Sequence, residues 1–229
     1  MKKLICIALV LCLALSFTAC FDSTNPEDIS GDEATQTPLL TPTPTPEAEP
    51  EFSMGTTSGL TYENKFIGIG CKLKSGWSFY SDAQIKELNN VTKDMAGEEF
   101  KQAMENATIV YDMYASSSNQ VDSINVNLEK VDPKLLANLD VSKNLENSFS
   151  LIKQSLENIG YTNVSYKMGT VSIEDKSFVC MTITSQIQGI NFYQKSICIK
   201  CNGYLANVTL SSLELDTIND LVESFYLVK

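Results

Sequence analysis

The chain has 229 residues, with 28 acids against 17 basic residues, and neither histidine nor arginine. Without histidine there is no Ser-His-Asp or Cys-His catalysis and no imidazole metal site. Without arginine there is no bidentate clamp on carboxylate or phosphate, and the acidic balance speaks against nucleic acid or anionic lipid headgroups as partners.

Lys2 and Lys3 precede Leu4 to Phe17, a run of 14 uncharged residues. A membrane-spanning helix takes roughly 20 apolar residues, so this run is short for a span. It fits the h-region of a secretory signal peptide. The run ends in Phe17-Thr18-Ala19-Cys20. That ending resembles the lipobox of bacterial lipoproteins, in which a small residue precedes a cysteine that becomes lipidated. Phe17 departs from the pattern, which usually has Leu there. The resemblance implies cleavage after residue 19, diacylation of Cys20 with fatty acid such as palmitate, and display on the extracytoplasmic face of the cell membrane. Two acyl chains anchor stably, since each buried methylene contributes about 0.8 kcal/mol.

Residues 20–58 carry the lipidated cysteine and then a linker. Six of the seven prolines and eight acids lie there, with no lysine. The Thr-Pro alternation from Thr41 to Pro46 favours extended polyproline geometry. Too few apolar side chains are present to offset ordering entropy, so disorder is expected. Residues 59–229 are expected to form one domain, large enough to bury one core.

The domain opens with two short strands in Gly59 to Leu73, where Ile67, Ile69, Cys71 and Leu73 alternate with smaller or polar residues. Ser81 and Gln84 form a capping box that predicts a helix, with Ile85, Leu88 and Met95 near one face. Glu98 to Asn106 is a second helical stretch. Two strands follow. Ile109, Tyr111 and Met113 are placed on one face of the first, and Ile124, Val126 and Leu128 likewise share one face of the second. Leu145, Phe149, Ile152, Leu156 and Ile159 predict a helix over 142–159, stopped by Gly160. Strands then carry Val164, Tyr166 and Met168; Val179, Met181, Ile183 and Ile187; and Ile197, Ile199 and Cys201. Asn202-Gly203 signals a tight hairpin into Tyr204, Ala206, Val208 and Leu210. A last helix carries Ile218, Leu221, Val222 and Phe225. Antiparallel strands with segregated helices give an α+β fold, an antiparallel sheet flanked by helices.

Leu60-Thr-Tyr62-Glu-Asn64, Gly68-Ile69-Gly70 and Gly76-Trp77 resemble the opening of lipoprotein domains from anaerobic Gram-positive bacteria that are similar to the PsbP/MOG-type fold. The resemblance implies a non-catalytic accessory or binding role. It transfers no site residues.

Four thiols lie in the domain: Cys71, Cys180, Cys198 and Cys201. Cys198-Ile-Lys-Cys201 has CxxC spacing, but in a strand residues three apart face opposite ways, and no helix N-terminus is at hand to lower a thiol pKa. Pairing the next hairpin about Gly189 would put both apolar sets on one core and set Cys180 opposite Cys198, a cross-strand thiol pair. A disulfide between them would be strained. Ser150-Leu-Ile-Lys153 has the S-x-x-K spacing of penicillin-binding proteins but falls mid-helix without the partner motifs. The tyrosines and Trp77 could form a sugar platform, or simply pack. No pattern asks for a metal or cofactor. The expected function is therefore a membrane-anchored, extracytoplasmic, non-enzymatic module for a protein or cell-envelope partner. The alternatives are an envelope enzyme using carboxylate or Ser-Lys chemistry, or a solute-binding lipoprotein.

Overall fold

The structure, a computed structural model, describes residues 51–87, 109–201 and 203–228, with backbone alone at 109 and 110. Cys20, Met95 and the stretch expected at Glu98 to Asn106 lie outside the described residues.

The fold is α+β and built on two antiparallel sheets. The smaller sheet contains β1 (Thr56–Ser58), β2 (Thr61–Asn64), β3 (Ile69–Lys72) and β11 (Phe225–Leu227), in that order. The larger contains β4 (Trp77–Phe79), β5 (Ile109–Ser117), β6 (Ser123–Lys130), β10 (Tyr204–Ser212), β9 (Ile190–Cys201), β8 (Lys176–Ile187) and β7 (Tyr161–Ile173), again in spatial order. Four helical segments are described: α1 at 82–87, α2 (Pro133–Asn138), α3 (Val141–Asn158) and α4 (Leu215–Val222).

Local chemistry sets the helix ends. At α1 the Ser81 N–H donates to Gln84 Oε1 at 2.9 Å and the Gln84 N–H to Ser81 Oγ at 3.4 Å, a reciprocal capping box. Asp132 caps α2, accepting from the Lys134 and Leu135 N–H groups, with Pro133 in the first turn, where its missing N–H costs nothing. Asp140 caps α3, and Gly160 follows that helix with φ 96°, a conformation that suits glycine.

The large sheet is buried on both faces, against two separate cores. One face, with Ile124, Val126, Leu128, Cys180, Ile197, Ile199, Ala206 and Val208, packs on Tyr62, Ile69 and Cys71 of the small sheet and on Ile218 and Leu221 of α4. The other face, with Met181, Ile183, Ile187, Phe192, Cys198 and Leu205, packs on Leu145, Ile152 and Leu156 of α3 and Leu136 of α2.

This two-faced burial corrects the register expected for β8 and β9. Gln188 and Gly189 form a two-residue connection, both with positive φ (52° and 79°), and Ile187 pairs with Ile190. Positive φ at both central residues is the requirement of a type I′ hairpin. Cys180 therefore stands opposite Ile197, not Cys198. A register slip of one residue sends the two thiols to opposite faces. The expected pairing assumed a single core. In fact the apolar residues of β8 face α3, while Ile197 and Ile199 of β9 face the small sheet.

Other differences have equally local causes. A bulge between Tyr111 and Met113 puts these residues on opposite faces, Tyr111 beside Asn127 and Met113 beside Val126. Phe225 belongs to β11, opposite Cys71, because the helix ends at Val222. Trp77 begins the edge strand β4, and α2 was not anticipated. The chain is also tied down before Gly59: Thr56–Ser58 pairs with β2, and the Phe52 ring stacks on Tyr204 with centroids 4.8 Å apart.

Candidate functional site

The α3-side face of the large sheet changes character along its width. Over β7 and β8 it is mostly apolar. Over β10, β6 and β5 it becomes a continuous polar surface. Here β10 presents Asn207, Thr209 and Ser211; β6 presents Ser123, Asn125, Asn127 and Glu129; β9 adds Gln194 and Ser196. Tyr111 and Tyr114 of β5 lie beside Asn127 and Asn125. The alternation is that of a strand with one face on an apolar core, but the second face is not in water. Asn125, Asn127, Asn207, Thr209 and Gln194 have no exposed surface, and Glu129 is only 9% exposed. The helix α3 packs chiefly on β7 and β8, and α2 on β10.

Part of the surface is internally satisfied. Cys198 Sγ donates to Asn207 Oδ1 at 2.7 Å, Asn207 Nδ2 to Asn127 Oδ1 at 3.5 Å, and Gln194 Nε2 to Ser211 Oγ at 3.2 Å. Four buried atoms have no hydrogen-bond partner among the described residues: Asn127 Nδ2, Glu129 Oε2, Ser196 Oγ and Thr209 Oγ1. A buried polar atom left unpaired costs about 1–3 kcal/mol, so four in one patch of sheet are an expense that packing alone does not require. Register places them together. Thr209 is directly opposite Ser196, Asn207 opposite Asn127, and Leu205 opposite Glu129. Burial raises the Glu129 carboxyl to about 7. It stands on a surface whose other groups are amides and hydroxyls, so nothing described there compensates its charge.

The residues singled out by sequence spacing are not brought together. Cys198 and Cys201 face opposite sides of β9, the first toward α3 and the second toward the small sheet. Their thiols are pushed up by burial, Cys201 to about 12, the reverse of what thiolate chemistry needs. Cys71 is raised to about 11 for the same reason. All four thiols are free. Ser150 is exposed on α3, and Lys153 pairs with Glu157 one turn away. Trp77 packs on the core shared with the small sheet. No group of three or more potential metal ligands of the Cys, His and acidic types occurs among the described residues.

A second carboxylate is buried on the other side of β5. Asp112 Oδ1 accepts from the Gly55 N–H at 2.7 Å. Its Oδ2 accepts from Asn64 Nδ2 at 2.6 Å and from the Tyr62 hydroxyl. Asn64 in turn uses Oδ1 to accept from the Phe66 and Ile67 N–H groups. This carboxylate is fully partnered and joins the small sheet to the large one. Glu129 is not.

The polar surface was not recognised from sequence. Its signal was the run Ser123, Asn125, Asn127, Glu129 in register with Ser211, Thr209, Asn207, which reads as two solvent-facing strand sides.

No family model matches the sequence, and no curated protein matches it either. Among solved structures the chain is similar to that of LpqN, whose crystal structure is described as involved in cell envelope biogenesis of Mycobacterium tuberculosis. The identity is 12% and the TM-score 0.39, over 70% of this chain and 83% of that one. No helix among the described residues is long and apolar enough to cross a membrane.

Proposed function

We propose that this chain is an extracytoplasmic lipoprotein, acylated at Cys20, whose folded domain is a non-enzymatic binding module. The observation that carries the binding half is the buried polar surface over β9, β10 and β6, with four polar atoms unpartnered among the described residues. Buried polar atoms require hydrogen-bond partners, and the described residues do not supply them to these four. The anchoring half rests on the charged start, the uncharged run and the Ala19-Cys20 junction. The accessory role implied by the PsbP/MOG-type resemblance agrees with a domain that binds and does not transform.

The enzymatic alternative has one observation in its favour, the raised carboxyl of Glu129. A two-carboxylate mechanism needs a second acid within about 5–10 Å on the same surface. The described part of this surface offers Glu129 alone, and Asp112 is occupied on the opposite side of β5. Ser-Lys chemistry has no support in an exposed Ser150 beside a paired Lys153.

Metabolic labelling with an alkyne fatty acid tests the anchor. The wild-type chain is expected to label and fractionate with membranes, and a Cys20→Ala chain to do neither. Equal labelling of both would remove the lipoprotein assignment.

A further inference from the structure

The small sheet has an inner and an outer face. Tyr62, Ile69, Cys71 and Phe225 belong to the core it shares with the large sheet. The residues that alternate with them point the other way. Thr56, Glu63, Gly70 and Tyr226 stand directly opposite one another, in a row across β1, β2, β3 and β11. The next row adds Thr61 and Lys72. Thr56, Glu63 and Lys72 are exposed, and Thr61 and Tyr226 are half-buried. This face is therefore open, unlike the polar side of β6 and β10.

Within the row the tyrosine lies down on the sheet. A Cβ placed on Gly70 would come within 2.6 Å of Tyr226 Cε2 and 2.8 Å of its hydroxyl oxygen, with Cζ nearer still. The far end of the ring thus rests directly over the glycine, which is buried although it belongs to the outer face. The Tyr226 hydroxyl donates to Glu63 Oε1 at 2.8 Å, which fixes the ring's direction along the row. Covering a strand glycine with a cross-strand aromatic is a packing device in its own right. Here it also lays a flat apolar surface beside an exposed carboxylate.

Those groups match one kind of partner. An aromatic ring offers an apolar face and, in tyrosine, a polar tip. A pyranose ring with equatorial hydroxyls is likewise apolar on its faces and polar around its rim. Stacking the two brings rim hydroxyls to Glu63, whose carboxylate only accepts and has about four lone-pair sites, one of them taken by Tyr226. Neither Glu63 nor Lys72 makes an ion pair among the described residues. With one charge of each sign, the two rows favour a neutral ligand over an ion. From Thr56 to Tyr226 the row covers three strand spacings, roughly 14 Å, the length of about two or three linked sugar rings.

We infer that the outer face of the small sheet binds a neutral glycan of β-1,4-linked pyranose rings, one ring stacked on Tyr226 with its rim hydroxyls donating to Glu63. A β-1,4 linkage gives the flat, straight ribbon that such a row accommodates. The site goes beyond the binding-module reading and depends neither on the buried polar surface nor on Cys20.

The test is an NMR titration of the full chain carrying 13C-labelled tyrosine rings. The Tyr226 signal is the one missing from Tyr226→Phe. The probes are cellotetraose and its N-acetylglucosamine counterpart, with sorbitol as hydroxyls without a ring face and choline as a cation. At least one tetramer is expected to shift the Tyr226 ring signals saturably, at concentrations where sorbitol and choline leave them unmoved. Tyr226→Ala should weaken that binding about ten-fold, through loss of the stacked ring. Tyr226→Phe, which keeps the ring, should retain most of it. Glu63→Ala should weaken it about five-fold or more, through loss of the acceptor. The ring shift in the unaltered chain needs no variant and so stands even where a substitution disturbs folding. No binding of either tetramer, binding that leaves the Tyr226 ring unmoved, or equal shifts with sorbitol or choline would each overturn the inference.

Discussion

The Tyr62 hydroxyl donates to the Asp112 carboxylate across the junction of the two sheets. Tyr62 has no exposed surface, so its phenol has no water to fall back on. Burial is the main reason its ionisation lies well above the ordinary range. Asp112 also takes the Gly55 and Asn64 donors, and hydrogen bonds to a charged group contribute about 1.5–3 kcal/mol each. Tyr62→Phe should cost about 2 kcal/mol and Asp112→Ala more, since it strands three donors. In denaturant titration the double variant should cost clearly less than the sum, because the two residues share one bond. Additive losses would mean the bond contributes nothing.

Glu129 should give stability an unusual pH dependence. Its ordinary value is 4.5 and burial raises it to about 7 in the folded chain. Between those values the unfolded chain releases the proton and the folded chain keeps it. Stability from this group is therefore full below about pH 4.5, falls as pH rises, and levels off above about 7. The loss is at most about 3 kcal/mol. Melting curves at pH 5 and pH 8 should show a smaller drop for Glu129→Gln than for wild type. Parallel drops would place Glu129 in water.

Thiol accessibility should follow burial. Cys71, Cys180 and Cys198 are buried and Cys201 half-buried, with every thiol raised by desolvation. At pH 8 the folded domain should react slowly with a disulfide reagent, and denaturant should expose four thiols whether or not reductant was present. Two thiols gained on reduction would contradict the placement of Cys180 and Cys198 on opposite faces.

The helix α3 is held by its inner face alone. Leu145, with no exposed surface, belongs to the second core together with Leu156, Met181 and Phe192. Leu145→Ala should destabilise by about 2–5 kcal/mol. Lys153→Ala, which breaks only a surface pair with Glu157, should change stability by less than about 1 kcal/mol. Urea midpoints of the two variants provide the comparison, and similar shifts would mean that α3 is not docked through Leu145.

Sequence periodicity was enough for the helix over 141–158, the Asn202-Gly203 hairpin and the long strands after Tyr161, because each rests on contacts and dihedrals within a few residues. The failures occur where a residue's role depends on a distant segment. Alternation in β8 and β9 identified apolar and polar sides, yet only the presence of two cores, one under the small sheet and one under α3, decided that their apolar sides face opposite ways. The bulge at Asp112 was invisible because its partners, Tyr62, Asn64 and Gly55, are about fifty residues away in the chain. The polar sides of β6 and β10 looked solvated because a single strand carries no record of what covers it. By itself the sequence determined the excluded chemistries, the α+β class and most elements, all of which follow from residue type and short-range spacing. Only the tertiary structure decided which polar residues are buried together, because burial is a property of layers, and layers form between segments far apart in the chain.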